Sequence, residues 1–237
     1  MPPDFCAPIT RDSRVDAYLF DLDGTLLDTE VLWVEATATL LREMGKTVAD
    51  EQASAWVHGR AWHDIYADIA AAWPDLAIGV ESLDARLRPY YNGLRETRDV
   101  LIHSSVTLLR TLAGHTPVVI VSGSPRSAIA EAVAQMGVGD DIAFYLGSDD
   151  YRPGKPHPAC FLAAASRLGV KPGRCVVFED SSAGIQAARQ AGMAVVALAR
   201  PTAPPQHVAP ADWVVADLSE YTPQRLYAAR AARETRH

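Results

Sequence analysis

The stretch YLFDLDGTLLDTE, residues 18–30, decides how the chain is read. An apolar run of strand character ends in two carboxylates, Asp21 and Asp23, and then turns on Gly24. Side chains alternate faces along a strand, so residues two apart leave its carboxyl end on the same side. Two like charges about 4 Å apart repel by roughly 4 kcal/mol at an effective dielectric of ~20. Such a pair calls for a cation, a shared proton or a chemical task.

Outward from this stretch the chain alternates between strand-like and helix-like segments. AYLF (17–20), PVVIVS (117–122), CVVFE (175–179) and MAVVAL (193–198) have no polar face, as expected of strands buried on both sides of a parallel sheet. ADWVV (211–215) is a candidate for one more strand. Between them, helical patterns end at Gly137, Gly169 and Gly192, where a helix C-terminus favours glycine. Strand then helix, repeated, predicts an α/β fold with a doubly wound, Rossmann-like parallel sheet whose ligand site lies at the carboxyl ends of the strands. Residues 30–99 break the rhythm. They read as helices only, the last running from Val80 to Arg98 with an interruption at Pro89. The expected organisation is a leader at 1–14, an α/β core at 15–29 and 100–237, and a small helical cap inserted at 30–99.

Composition narrows the function classes. The net charge of -7 argues against a general nucleic-acid or membrane-surface binder, because both need basic stripes. Cys6, Cys160 and Cys175 have neither disulfide-framework nor zinc-site spacing. The N-terminal residues carry no apolar core of signal-peptide length, and no apolar run elsewhere approaches the ~20 residues of a membrane span. These features predict a soluble cytoplasmic protein, with no nucleic-acid or membrane partner, acting as a monomer or small homo-oligomer.

Four polar signals fall at the ends of the four best strands: DLDGT with Asp21, Asp23 and Thr25; VSGS with Ser122, Gly123 and Ser124; GKPHP with Lys155; and FEDSSAG with Glu179 and Asp180. Each alone is a common turn, cap or surface feature. Together they suit one task. Asp21, Asp23 and Asp180 offer oxygen ligands of the kind Mg²⁺ takes beside substrate phosphate and water. Donors at Ser122 and the Gly24 turn, with the Lys155 charge, can hold phosphoryl oxygens, and a carboxylate can attack phosphorus to form an acyl phosphate.

These four motifs resemble those of the haloacid dehalogenase superfamily, over residues 18–216. The resemblance implies that Asp21 is the nucleophile and Asp23 the general acid and base. It implies a phosphate-binding set of Gly24, Thr25, Ser122, Gly123 and Lys155. Mg²⁺ would be held by Asp21, the Asp23 carbonyl and Asp180, with Glu179 close behind. The insert resembles the helical cap of the superfamily's first subclass.

Within that superfamily, the dehalogenases lack the second aspartate and the metal, and phosphonatases need a cap lysine for which Lys46 has no matching motif. Sugar phosphomutases resembling beta-phosphoglucomutase carry a cap histidine where Trp33 stands here, and cationic grips near a loop that here reads VHGRAWHD, residues 57–64. The HGR stretch resembles the cap loop of sugar and polyol phosphatases. The favoured reading is therefore a phosphatase acting on a small phosphorylated metabolite, with a phosphomutase and a non-catalytic phosphate-binding protein as alternatives. Trp33, His58, Gly59, Arg60 and Arg126 are the candidate substrate contacts. Each also has an ordinary reading, as cap core for Trp33 and as solvated side chains for His58, Arg60 and Arg126.

Overall fold

The computed structural model describes residues 14–57, 62–76, 78–201, 203 and 207–234. It divides into two compact units: one of the residues up to Leu22 together with Ser104 onward, the other Asp23–His103.

The first unit is built on a six-stranded sheet, β1 (Ala17–Phe20), β2 (Val118–Val121), β3 (Phe144–Leu146), β4 (Cys175–Glu179), β5 (Ala194–Leu198) and β6 (Trp213–Val215). Its spatial order is β3-β2-β1-β4-β5-β6, and every neighbouring pair is parallel. This is the Rossmann-like sheet expected of apolar strands that alternate with helices. β1, β2, β4 and β5 are buried along their whole length, which is why their sequences carry no polar face.

One face of these strands packs through Leu19, Val119, Val121, Val177 and Val195 with Phe161, Ala164, Ile185 and Ala188. Those partners lie on α7 (Ala159–Leu168) and α8 (Ser182–Gln190). Alternate residues carry an aromatic stack, with Phe20 and Phe178 centred 4.4 Å apart and Tyr221 edge-on to Phe178 at 4.8 Å. α6 (Arg126–Met136) and α7 end on the left-handed residues Gly137 and Gly169, at the positions the sequence marked.

The chain winds in opposite directions from the centre of this sheet. β1 leads to β2 and β3 on one side, whereas β4, β5 and β6 lie on the other. The reversal lies between β1 and β4, where parallel sheets open a crevice at their carboxyl ends. Asp21 follows β1 there, and Glu179 and Asp180 close β4 beside it.

The second unit contains α1 (Glu30–Glu43), α2 (Asp50–Val57), α3 (Trp62–Ala72) and α4 (Val80–Thr97). Its core joins Leu40, Leu41, Trp56, Ile65, Ile69, Leu83 and Leu87. α4 corrects one expectation, because it runs unbroken through Pro89. Proline removes one intrahelical hydrogen bond. The helix continues because Leu83, Leu87, Tyr90, Tyr91 and Leu94 lie along a face packed into the core. β3 and α5 (His103–Ala113) were not anticipated; β3 is only three residues long, too short for a clear periodicity.

Candidate active site

The loops that follow β1, β2, β3 and β4 in the α/β unit bring four polar groups together. Pairing carries Phe20 alongside both Ile120 and Phe178, so the residues that leave these three strands emerge side by side. The Asp21 amide donates to the Phe178 carbonyl at 3.0 Å, which fixes the backbone from which the Asp21 carboxylate projects. Asp21 is 6% exposed, Ser122 1% and Glu179 0%.

Lys155 arrives from the loop before α7 and binds three oxygens at once. Its Nζ donates to Asp21 Oδ1 at 2.5 Å, to Glu179 Oε1 at 2.6 Å and to the Val121 carbonyl at 3.3 Å. It also lies 5.2 Å from the centre of the Phe161 ring. Burial by itself would lower the Lys155 pKa, but Asp21 and Glu179 outweigh it and hold the ammonium well above the ordinary lysine value. Lys155 is thus a fixed cation.

Glu179 is held as firmly. Its second oxygen, Oε2, accepts from the Ser181 amide at 2.7 Å and from Ser181 Oγ at 2.9 Å. The same Ser181 hydroxyl caps α8 by accepting from the Gly184 amide at 3.0 Å. The carboxylate lies against that first helical turn, where the macrodipole favours an anion. It fits only because residue 184 has no side chain: a Cβ there would sit 1.6 Å from Glu179 Oε1. The spacing in FEDSSAG therefore has a steric cause.

Ser122 ends β2. Its amide donates to the Leu146 carbonyl at 3.0 Å, and its Oγ accepts from the Ser124 amide at 3.0 Å, a tight turn through Gly123. A Cβ at Gly123 would meet no protein atom within 4 Å, so packing does not demand glycine there.

Asp21, Glu179 and Asp180 each offer a carboxylate oxygen, all within 4.8 Å of one another. Octahedral Mg²⁺ bonds oxygen at about 2.0–2.1 Å, so ligands opposite each other lie about 4.2 Å apart. Hard oxygen donors at this spacing fit such an ion.

The remaining predicted residues are placed as follows. Asp23, Gly24 and Thr25 belong to the helical unit. The Asp23 carboxylate accepts from Thr29 Oγ1 at 2.8 Å. Gly24 has φ +88°, a left-handed turn that suits glycine, and its amide donates to the Leu27 carbonyl at 2.7 Å. Thr25 is fully buried.

Trp33 stacks on Tyr91 with ring centres 4.0 Å apart, a packing contact within the helical core. Arg126 is engaged by the loop after β3. Its guanidinium pairs with Asp150 at 2.9 Å and lies 4.8 Å from the Tyr145 ring centre, and its amide donates to Asp149 at 2.8 Å. His58, Gly59 and Arg60 lie outside the described residues. Ser181 and Tyr151 were missed as functional candidates. Ser181 was visible as a helix-capping serine directly after an acidic pair; Tyr151 gave no signal, being one aromatic residue in a loop.

A family model described as haloacid dehalogenase-like hydrolase matches residues 15–192, a span that contains this cluster. The chain belongs to the haloacid dehalogenase-like hydrolase family. The fructose-1-phosphate phosphatase of Escherichia coli is 34% identical to it over 77% of this chain and 96% of that protein. The validoxylamine A 7'-phosphate phosphatase of Streptomyces hygroscopicus is 32% identical over 85% of this chain and 93% of that protein. A solved haloacid dehalogenase-like protein of unknown function from Agrobacterium tumefaciens is 28% identical and superposes with a TM-score of 0.74, covering 93% of this chain and 99% of that one. Together they make this haloacid dehalogenase-like chain an enzyme of the phosphatase kind.

Proposed function

We propose that this chain is a Mg²⁺-dependent phosphomonoesterase that hydrolyses a small phosphorylated metabolite, of the sugar or polyol phosphate class, through a phospho-Asp21 intermediate. The observation that carries the proposal is the Asp21–Lys155–Glu179 network. A buried carboxylate at the reversal point of a parallel sheet is held by a lysine that is itself anchored from behind. A purely structural ion pair would not need Asp180 in the same cluster, which adds a further anion to it.

In this reading an Asp21 carboxylate oxygen attacks phosphorus as the ester oxygen departs, giving an acyl phosphate and an alcohol. Asp23 gives the proton that the leaving oxygen needs. It then takes one from a water that attacks the phosphoryl group, regenerating Asp21 and releasing inorganic phosphate. Ser122, the Gly123 turn and Lys155 hold the other phosphoryl oxygens, with the Gly24–Thr25 turn assigned to the same task. Asp21 and Asp180, with the Asp23 carbonyl, would hold Mg²⁺, whose charge lets a dianionic phosphoryl group approach an anionic nucleophile. Glu179 serves the ion indirectly by fixing Lys155.

The helical unit is assigned the part of a cap, with His58, Gly59 and Arg60 proposed as contacts to the substrate beyond its phosphate. Relatives named for fructose-1-phosphate and for validoxylamine A 7'-phosphate support the choice of a small phosphate ester. No helix among the described residues is long and apolar enough to cross a membrane. We place the enzyme in the cytoplasm, as a monomer or small homo-oligomer.

The test is phosphate release from a panel of sugar, polyol, glycolate and nucleotide monophosphates, with Mg²⁺ and with chelator. Metal-dependent release is expected, and Asp21→Asn should cut turnover by at least about 10⁴-fold while the protein stays folded. Release indifferent to chelator, or appreciable turnover by Asp21→Asn, would overturn the proposal. Conversion of beta-glucose 1-phosphate to glucose 6-phosphate without release would make it a mutase.

A further inference from the structure

The carbonyls of Val121, the last residue of β2, and of Ser122, which follows it, are each gripped by a side chain from a single loop. Lys155 Nζ reaches the Val121 oxygen at 3.3 Å, and the Tyr151 hydroxyl donates to the Ser122 oxygen at 2.6 Å. Tyr151 is 9% exposed and packs in the apolar cluster with Leu146, Cys160 and Phe161. Its ring is therefore fixed on one side by the core, while its hydroxyl is fixed on the other by the backbone of a residue proposed to bind phosphoryl oxygen.

We propose that Tyr151 is a positioning residue that sets the Ser122 turn against Lys155, so that the hydroxyl and the ammonium meet the same phosphoryl group in register. The inference rests on the phosphatase reading above and goes beyond it, because Tyr151 touches neither substrate nor metal in that reading. Both grips come from residues 151 and 155 on one short loop, so a shift of that loop moves the two phosphoryl-binding groups together. With this tether the turn at Ser122 keeps one geometry. Without it the Ser122 hydroxyl samples positions that Lys155 does not share, and a misplacement of that kind lowers rate and binding together.

Proton transfer is not its task. Burial pushes the Tyr151 phenol up to about 12, with Cys160 nearby adding to the effect, so the hydroxyl remains a neutral donor across the working range.

The experiment is a double-mutant cycle on the full chain with Mg²⁺, reading kcat, KM and inhibition by inorganic phosphate. Tyr151→Phe keeps the ring and removes the donor. It should weaken phosphate inhibition and raise KM by about the same factor, between 3-fold and 30-fold. In a Ser122→Ala background the same change should have less than a 2-fold effect, since Tyr151 acts through Ser122. Met193→Ala, in the same apolar cluster but not a partner in the hydrogen bond, supplies a control of lowered thermal stability.

If Tyr151→Phe lowers only the melting temperature, as the control does, or if its effects add fully to those of Ser122→Ala, the inference is overturned. Should Tyr151→Phe fail to fold, Tyr151→Met and Tyr151→His enter the same cycle, and recovery of phosphate inhibition by the donor-bearing histidine alone supports it. Failure of the phosphatase reading would appear separately, as no phosphate release by the unsubstituted protein.

Discussion

Two sets of ion pairs, one taken from each unit, sit in opposite settings. In the helical unit, Arg42 meets Asp50 with side chains 48% and 79% exposed, and Arg98 meets Glu35 in a similarly open position. In the α/β unit, Lys155 meets Asp21 and Glu179 with side chains 11%, 9% and 0% exposed. Exposed pairs gain little, because water and salt screen them and two long side chains must be ordered. The helical unit is therefore held by its apolar core, in which Trp56, Ile65, Leu83 and Leu87 meet. Burying three charged groups is a different matter. Removing them from water costs several kcal/mol per ion, and their attraction offsets this only when the geometry is nearly complete. A fold that needed only stability would fill the same space with apolar groups, and this is why the proposed chemistry is assigned to the buried cluster.

The largest effect should come from Lys155→Met. Phosphatase turnover should fall by at least about 10³-fold, because the phosphoryl group loses its fixed cation. Stability should also fall, by about 3–5 kcal/mol, since two buried carboxylates lose their shared partner. The ammonium is held above its unfolded value. Its contribution is thus complete below the unfolded lysine value of about 10.4, and it fades only as pH rises through the higher folded value. Melting in chelator should show a gap between parent and variant that is flat from pH 7 to 9 and closes only at the alkaline end. A gap that narrowed steadily from pH 7 upward would mean that the network does not raise Lys155, and the contrast between the two units would collapse.

The next effect is steric. Gly184→Ala places a Cβ where the Glu179 carboxylate now sits, and the blocking atoms belong to a fully buried side chain with partners on both oxygens. Expelling that carboxylate should cost about 3 kcal/mol or more and release Lys155 with it, so activity and melting temperature should fall together. A Gly184→Ala protein that melts normally would show that Glu179 has room to move, and the rigid anchor inferred for Lys155 would be wrong.

How much of this was legible in the chain differs between the units for the same physical reason. The α/β sheet could be read because strands buried on both faces must be continuously apolar, and because a ligand site at their ends must carry polar residues at the point of exit. AYLF followed by DLDGT has both marks. β3 was missed because its FYL is only three residues long and is half-buried along most of its length. In the helical unit the element types were legible from spacing, but Pro89 misled: local chemistry predicts a break, and packing of Leu83, Leu87 and Leu94 overrides it.

Site residues followed the same division. Asp21, Lys155, Glu179 and Asp180 lie at strand ends or on the loop that faces them, where topology alone brings them together, and Ser122 follows the neighbouring strand. Arg126, singled out because it follows SGSP, is engaged by Asp150 and the Tyr145 ring, partners on a strand and its following loop that the sequence did not reveal. Tyr151 depends on that same unread strand and its loop.

The smallest effect reverses the sign of the second. Gly93 lies inside α4, is exposed, and has no atom within 4 Å of where a Cβ would stand. Its backbone is helical, so glycine there only adds freedom to the unfolded chain. Gly93→Ala should stabilise the helical unit by about 0.5–1 kcal/mol, a rise of roughly 1–4 °C in melting temperature, with kcat and KM unchanged. The same chemical change, one methyl group, thus separates a glycine kept because a charge needs its space from a glycine that packing does not require. If Gly93→Ala lowered stability instead, α4 would have to be under a constraint beyond the packing of its apolar face, and Pro89, four residues earlier in the same helix, would be the place to look for it.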